Sequence, residues 1–156
     1  MSILKVDTLQ PATGARVLSA GHVVQVVQGS TNTAMTSAST SYADTGLTAT
    51  ITPTSTSSKV LVRISQHYRF DRYGFSIKIM RGSTNVHAPV NTYQVYSSDL
   101  NTNLRGYLNY EVLDAPSSTS ALTYKTQVIL NTSSGTGLQI QGNDFFSFMT
   151  LMEIAQ

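Results

Sequence analysis

The feature that most constrains this chain is alternation. Lys59 to Phe70, KVLVRISQHYRF, puts Val60, Val62, Ile64 and Tyr68 on one side of an extended segment. Leu61, Arg63, Ser65, His67 and Arg69 fall on the other, which reads as largely solvated. A period of two is the signature of a strand with one face in a core. The pattern recurs where Leu47, Ala49 and Ile51 alternate with Thr48, Thr50 and Thr52, and where Phe75, Ile77 and Ile79 alternate with Ser76, Lys78 and Met80. Leu108 to Leu113, Thr123 to Leu130 and Leu138 to Gln141 repeat it, and His22 to Gln28, HVVQVVQ, adds a short apolar run.

Between these segments stand turn formers: Pro53 with residues 54–58, then Arg81-Gly82-Ser83, residues 115–120 and residues 131–137. Residues 86–105, rich in Asn, Ser and Tyr, read as a long loop or short edge strands. No segment of the body carries a helical period. Seven to nine short strands punctuated in this way predict an all-β fold, a β-sandwich of jelly-roll-like form. Composition agrees. Charged residues are 12% of the 156, while Ser and Thr supply about a quarter, and Thr suits a half-exposed pleated surface.

The two ends differ from this body. Residues 1–20, MSILKVDTLQPATGARVLSA, bring Ile3, Leu4, Val6 and Leu9 together, too few apolar side chains for a core, and Pro11 and Gly14 interrupt any regular element. An amphipathic helix is one reading. β-branched content and Pro11 favour an extended docking arm that finds a partner surface, with the sandwich occupying residues 21–156. At the other end, Phe145 to Ile154 carries apolar residues on both faces, so it is expected to be buried on both sides. One face belongs to the chain's own core. The other calls for cover by the arm, by a loop, or by neighbouring copies at an interface of Phe146, Phe148, Met149, Leu151, Met152 and Ile154.

Catalytic chemistry finds little to stand on. His22, His67 and His87 lack the spacing of metal ligands, and there is no cysteine. The eight carboxylates lie mostly near turns; Glu153, among apolar neighbours, reads either as an interface residue or as one turned to water. No G-x-S-x-G elbow or phosphate-binding glycine loop occurs. The chain is expected to be no enzyme, with no cofactor and no metal. A formal charge of +2 with scattered basic residues gives no footprint for nucleic acid. No apolar run reaches the length of a membrane span, and residues 1–20 lack the apolar stretch of a secretory signal. One cluster invites recognition chemistry: HYRFDRY, residues 67–73, offers Tyr68, Arg69, Arg72 and Tyr73, and Tyr93 and Tyr96 follow in the Asn/Ser-rich stretch. Together they form a possible contact for a host glycan, against the plainer reading of a turn with paired surface charges.

Several stretches resemble tailed-phage virion structural proteins, those of phages of aquatic bacteria above all, including cyanophage-type decoration proteins and tail-fibre heads. They are LKVDTLQPATG (4–14), GHVVQVVQ (21–28), TITPTSTSSKVLVRIS (50–65), LDAPSSTSALTYKTQV (113–128) and TLMEIAQ (150–156). The similarity runs nearly end to end and is least over residues 69–105. None of these motifs is chemically diagnostic. The resemblance implies a trimeric, non-enzymatic β-sandwich built into a virus particle after synthesis in the host cytoplasm. The shaft that a tail fibre needs has no trace here as heptads or short repeats. The expectation is therefore a homotrimeric capsid decoration (cement) protein on the outer capsid surface, partnered by itself and by the major capsid protein or another virion protein, with neither nucleic acid nor membrane. The alternative is the glycan-binding head of a tail fibre or tailspike.

Overall fold

The computed structural model describes residues 19–91, 93–98, 103–132, 137–142 and 144–156. These form eleven strands: β1 (Val23–Thr31), β2 (Met35–Ser37), β3 (Ala43–Ile51), β4 (Lys59–Phe70), β5 (Tyr73–Arg81), β6 (Thr84–His87), β7 (Val95–Ser97), β8 (Leu104–Asp114), β9 (Leu122–Leu130), β10 (Leu138–Ile140) and β11 (Ser147–Ile154). None of the described residues is helical. The excess over the seven to nine expected strands arises where strands break into pieces: β1 with β2, β6 with β7, and β10 with β11 each act as one interrupted strand.

Two sheets result. The six-stranded sheet runs β1–β11–β4–β8, with β10 continuing the β11 side of β4 and β2 pairing β10. The five-stranded sheet runs β3–β9–β5, with β6 and β7 both on the outer side of β5. All pairings are antiparallel. Counting each interrupted strand once, the hydrogen-bonded pairs are first with last, second with seventh, third with sixth and fourth with fifth. This nesting, a long hairpin wrapped around itself, is the jelly roll.

The core lies between the sheets and is built from the period-two residues. Val60, Val62 and Ile64 of β4, Met149 and Leu151 of β11, Leu47 and Ile51 of β3, Phe75, Ile77 and Ile79 of β5, and Tyr124 and Val128 of β9 are each no more than 4% exposed. Gly29 closes one flank. A Cβ there would lie 1.9 Å from the Thr48 carbonyl oxygen, so only a residue without one lets β1 meet β3 across the two layers.

The core is not wholly apolar. The Thr126 hydroxyl on β9 donates to Gln66 Oε1 at 2.8 Å, and Gln66 Nε2 donates to Ser147 Oγ at 3.1 Å. Thr126 also bonds Thr45, so a chain of satisfied polar groups crosses from one sheet to the other. Glu153 settles between its two sequence readings by taking neither. It is 0% exposed, and it accepts hydrogen bonds from Gln25 Nε2 (2.7 Å), the Thr54 amide (2.8 Å) and the Thr54 hydroxyl (2.8 Å). Burial pushes the Glu153 pKa upward, but the hydrogen bonds from Gln25, Ser58 and Thr54 outweigh it and hold the carboxyl below its ordinary value.

Candidate assembly and recognition surfaces

The outer faces of the two sheets differ in kind. On the five-stranded sheet the exposed side is polar and internally paired. Asp44 accepts from Lys125 Nζ at 2.8 Å and from Gln127 Nε2 at 2.6 Å, and Thr50 bonds Thr123 at 2.9 Å. The Lys125 hydrogen bond first, then that of Gln127, holds the Asp44 carboxyl below its ordinary pKa. Such a face is comfortable in water.

The outer face of the six-stranded sheet is laid out in rungs that the register aligns. Val26, Met152, Leu61 and Leu113 sit opposite one another across β1, β11, β4 and β8. Val26 is 57% and Leu113 50% exposed. The next rung is polar: Gln28, Thr150, Arg63 and Glu111, with a 2.9 Å bond from Gln28 to Thr150 and a 2.8 Å ion pair between Arg63 and Glu111. Beyond it stands Phe148, then His67 opposite Tyr107. An open groove of about 470 Å³ runs over the polar rung between Met152 and Phe148.

This register corrects the expected subunit interface. Met149 and Leu151 are 0% exposed and belong to the chain's own core, because β11 alternates and only one of its faces points outward. The strand is therefore not buried on both sides within the described chain. Phe146 and Phe148 remain 43% and 38% exposed, and Met152 and Ile154 are half-buried on the outer side. Val26, Leu61 and Leu113 join them. Sequence reading missed these because Leu61 and Leu113 belong to the outer side of otherwise half-polar strands and Val26 to a short apolar run, and register alone lines them up. The arm residues Ile3, Leu4, Val6 and Leu9 lie outside the described residues.

His67 departs from the solvated outer face predicted for β4. It is 3% exposed, because Phe145 stacks flat on its ring at 4.4 Å and Tyr107 meets it edge-on at 5.3 Å. Burial, and then the nearby Arg105, pushes the imidazole pKa down.

The six residues of the predicted glycan contact separate into two groups. Tyr68 turns inward and packs on Phe75 at 5.1 Å and on Phe70 at 6.0 Å, which removes it from any outer contact. Arg69 lies on the opposite face of β4, where its Nε donates to Asn103 Oδ1 at 2.7 Å. The other four form two pairs. Arg72 sits over the Tyr73 ring, 5.0 Å from its centroid, and Tyr93 and Tyr96 meet edge to face at 5.5 Å. The two rings of the second pair lie against Gly74, which pairs with Tyr96. A Cβ on Gly74 would come within 3.2 Å of both tyrosine rings and 2.8 Å of the Val95 carbonyl oxygen. Asn131 holds this glycine from below, accepting from its amide at 2.7 Å and donating to its carbonyl at 3.0 Å.

The two regions are held apart by the length of β4. The described chain begins beside the last strand, where the Gly21 amide donates to the Ala155 carbonyl at 2.8 Å and Ile154 pairs with Lys59. The tyrosine cluster lies past Phe70, roughly 36 Å away at about 3.3 Å per residue. No group of three His, Asp or Glu side chains that could hold a metal ion occurs among the described residues.

No family model matches the chain, and no curated protein matches it. Among solved structures the chain is similar to one described as the structure of infectious bursal disease virus, Gt strain, with a TM-score of 0.43 and 12% identity over 98% of this chain; it spans 43% of that chain's length.

Proposed function

We propose that the chain is a virion structural protein: a homotrimeric decoration protein that sits on the outer surface of a tailed-phage capsid and reinforces it. The observation that carries this reading is the contrast between the two sheet faces. One face satisfies its own polar groups. The other presents one apolar rung, Val26, Met152, Leu61 and Leu113, with Phe148 beyond the polar rung, and leaves Val26, Leu113 and Phe148 exposed. Aligned apolar rungs of this kind mark a surface meant for a protein partner. In the proposed assembly neighbouring copies cover that face, and Phe146, Phe148, Met152 and Ile154 are contacts between them.

Polarity along β4 supports the rest. The first described residues lie at the Lys59 end, and in the proposed assembly the docking arm meets the shell at that end while the far loops face outward. Three weak arm contacts acting together bind far more tightly than one. Full-length chain with all four arm residues changed to Asp tests this directly. It should keep the oligomeric mass of the unaltered protein and fail to sediment with undecorated capsids. Retained decoration removes the arm from the docking step.

The alternative, a receptor-binding head of a tail fibre or tailspike, draws support from the exposed tyrosines at the far end. Electron-microscopy localisation on the particle separates the two, since a head would appear at the tail and a decoration protein over the capsid faces.

A further inference from the structure

The geometry points to the free edge of β8 as the place where two copies of this chain pair, antiparallel about a two-fold axis, so that one sheet runs through both. The contact uses an edge, not the sheet face assigned above to neighbouring copies. It goes beyond that assembly and stands without it.

A sheet edge is a row of unpaired amides and carbonyls, and proteins blunt it with bulges, short strands, Pro or Lys. The other edges among the described residues are blunted in this way. β1 carries a register shift between Val23 and Gln25, and β3 one between Asp44 and Thr48. β2, β6 and β7 are three, four and three residues long. β8 is different. It runs for eleven residues, LRGYLNYEVLD, without Pro or Lys. It pairs with β4 from Leu104 to Asp114 without a shift, and no described strand pairs with its other side. Leu104, Tyr107 and Leu113 are exposed along it.

Charge selects the occupant. Arg105 and Glu111 both lie on the outer side of β8, and Arg105 stands opposite another cation, Arg69. Arg105 enters no ion pair among the described residues. A two-fold axis that passes through a residue keeps the outer faces of both copies on one side. With that axis at Leu108, Arg105 of each copy lies opposite Glu111 of the other, and two ion pairs form. Moving the axis one residue either way sets Arg105 against Asn109 or Leu113 instead. Opposite charges directly across a strand pair stabilise it, and like charges weaken it. The same register brings Tyr107 to Asn109 on the outer side, and Leu104 to Val112 and Leu108 to Leu108 on the inner side. Pairing of this kind uses up both edges and closes, so it builds no fibre. One strand pair is a weak contact between free chains, and it adds up where many copies are held on one surface.

The chain has no cysteine, so introduced thiols report this contact alone. Directly opposed Cα atoms lie about 4.5–5.5 Å apart, within reach of a disulfide, and diagonal neighbours at about 7–8 Å do not. Full-length Tyr107→Cys and full-length Asn109→Cys chains are mixed at about 1 mM, of the order reached by sites held close together. They are then oxidised mildly and run on a non-reducing gel. Expected is a covalent dimer from the mixture and little from either chain alone. Adding Arg105→Glu to both chains should cut the yield about tenfold. Arg105→Glu on one chain with Glu111→Arg on the other should restore it. Val26→Arg, on the far edge of the same sheet, should leave the yield unchanged, which separates this contact from the face contact. Melting curves check folding of every chain. Leu104→Cys with Val112→Cys is the second pair, used if Tyr107→Cys fails to fold. No dimer from the folded mixture, equal yields from single chains, indifference to Arg105→Glu, or loss with Val26→Arg would each overturn the proposal.

Discussion

At the scale of single residues, Glu153 shows how a polar group earns its place in a core. Its carboxylate ties β1 through Gln25 and the β3–β4 connection through Thr54 to the last strand. Because hydrogen bonding lowers its pKa in the folded chain, the folded state favours the ionised form. The stability it contributes is complete above the unfolded carboxyl value, 4.5, and is lost as pH falls through its lower folded value. Asp44 acts in the same direction. Denaturant titrations at pH 6 and pH 3 should therefore show loss on acidification. Glu153→Gln should remove about 1–3 kcal/mol at pH 6 by leaving donors unpaired, and should flatten the acid limb relative to the parent. An unchanged limb would assign the acid sensitivity elsewhere. The sequence hinted at this role only by placing a lone acid among Leu151, Met152 and Ile154. Its partners lie 128 and 99 residues away in the chain, beyond the reach of any local pattern.

At the scale of elements, alternation was legible and register was not. Period two correctly assigned Val60, Val62 and Ile64 to the core, and the odd-numbered side chains of β4 to the outer face. It did not divide β11, whose Phe148, Met149, Leu151, Met152 and Ile154 were all expected at an interface; the structure turns Phe148, Met152 and Ile154 outward and Met149 and Leu151 into the core. What one strand's sequence does not contain is which residue of its neighbour lies opposite. The rung of Val26, Met152, Leu61 and Leu113 exists only because three separate pairings fall into line. The setting of the tyrosine pair has the same origin: Gly74 and Tyr96 are distant in sequence, and the β5–β7 pairing joins them. Tyr68 was misread because the strand's alternation counts it inward, while its aromatic and basic neighbours suggested a surface. Reversing the rung's character tests its part in assembly. Val26→Arg with Leu113→Arg should leave melting within about 0.5 kcal/mol of the parent, as exposed substitutions do. In sedimentation equilibrium the same variant should shift the mass from oligomer to single chain. A persistent oligomer would move the interface to another face.

At the scale of the whole molecule, the sandwich and its jelly-roll form were legible from strand number, turn chemistry and the lack of helical period. The pairing of first strand with last was not, since nesting is a property of topology. That nesting has a consequence for how the molecule comes into being. Among the described residues β1 pairs in its own sheet only with β11, so its edge waits, unsatisfied, through the emergence of more than a hundred residues. Contacts this remote in sequence make folding slow, in the millisecond-to-second regime. A chain halted before Ser147 should remain protease-sensitive and show no cooperative melt, and a cooperative melt from such a fragment would mean that the β1 edge is dispensable. Until β11 has been made, the apolar rung is broken, with Val26 cut off from Leu61 and Leu113. In the proposed assembly, chains that lack β11 would offer neighbours no such rung and would be left out of the particle.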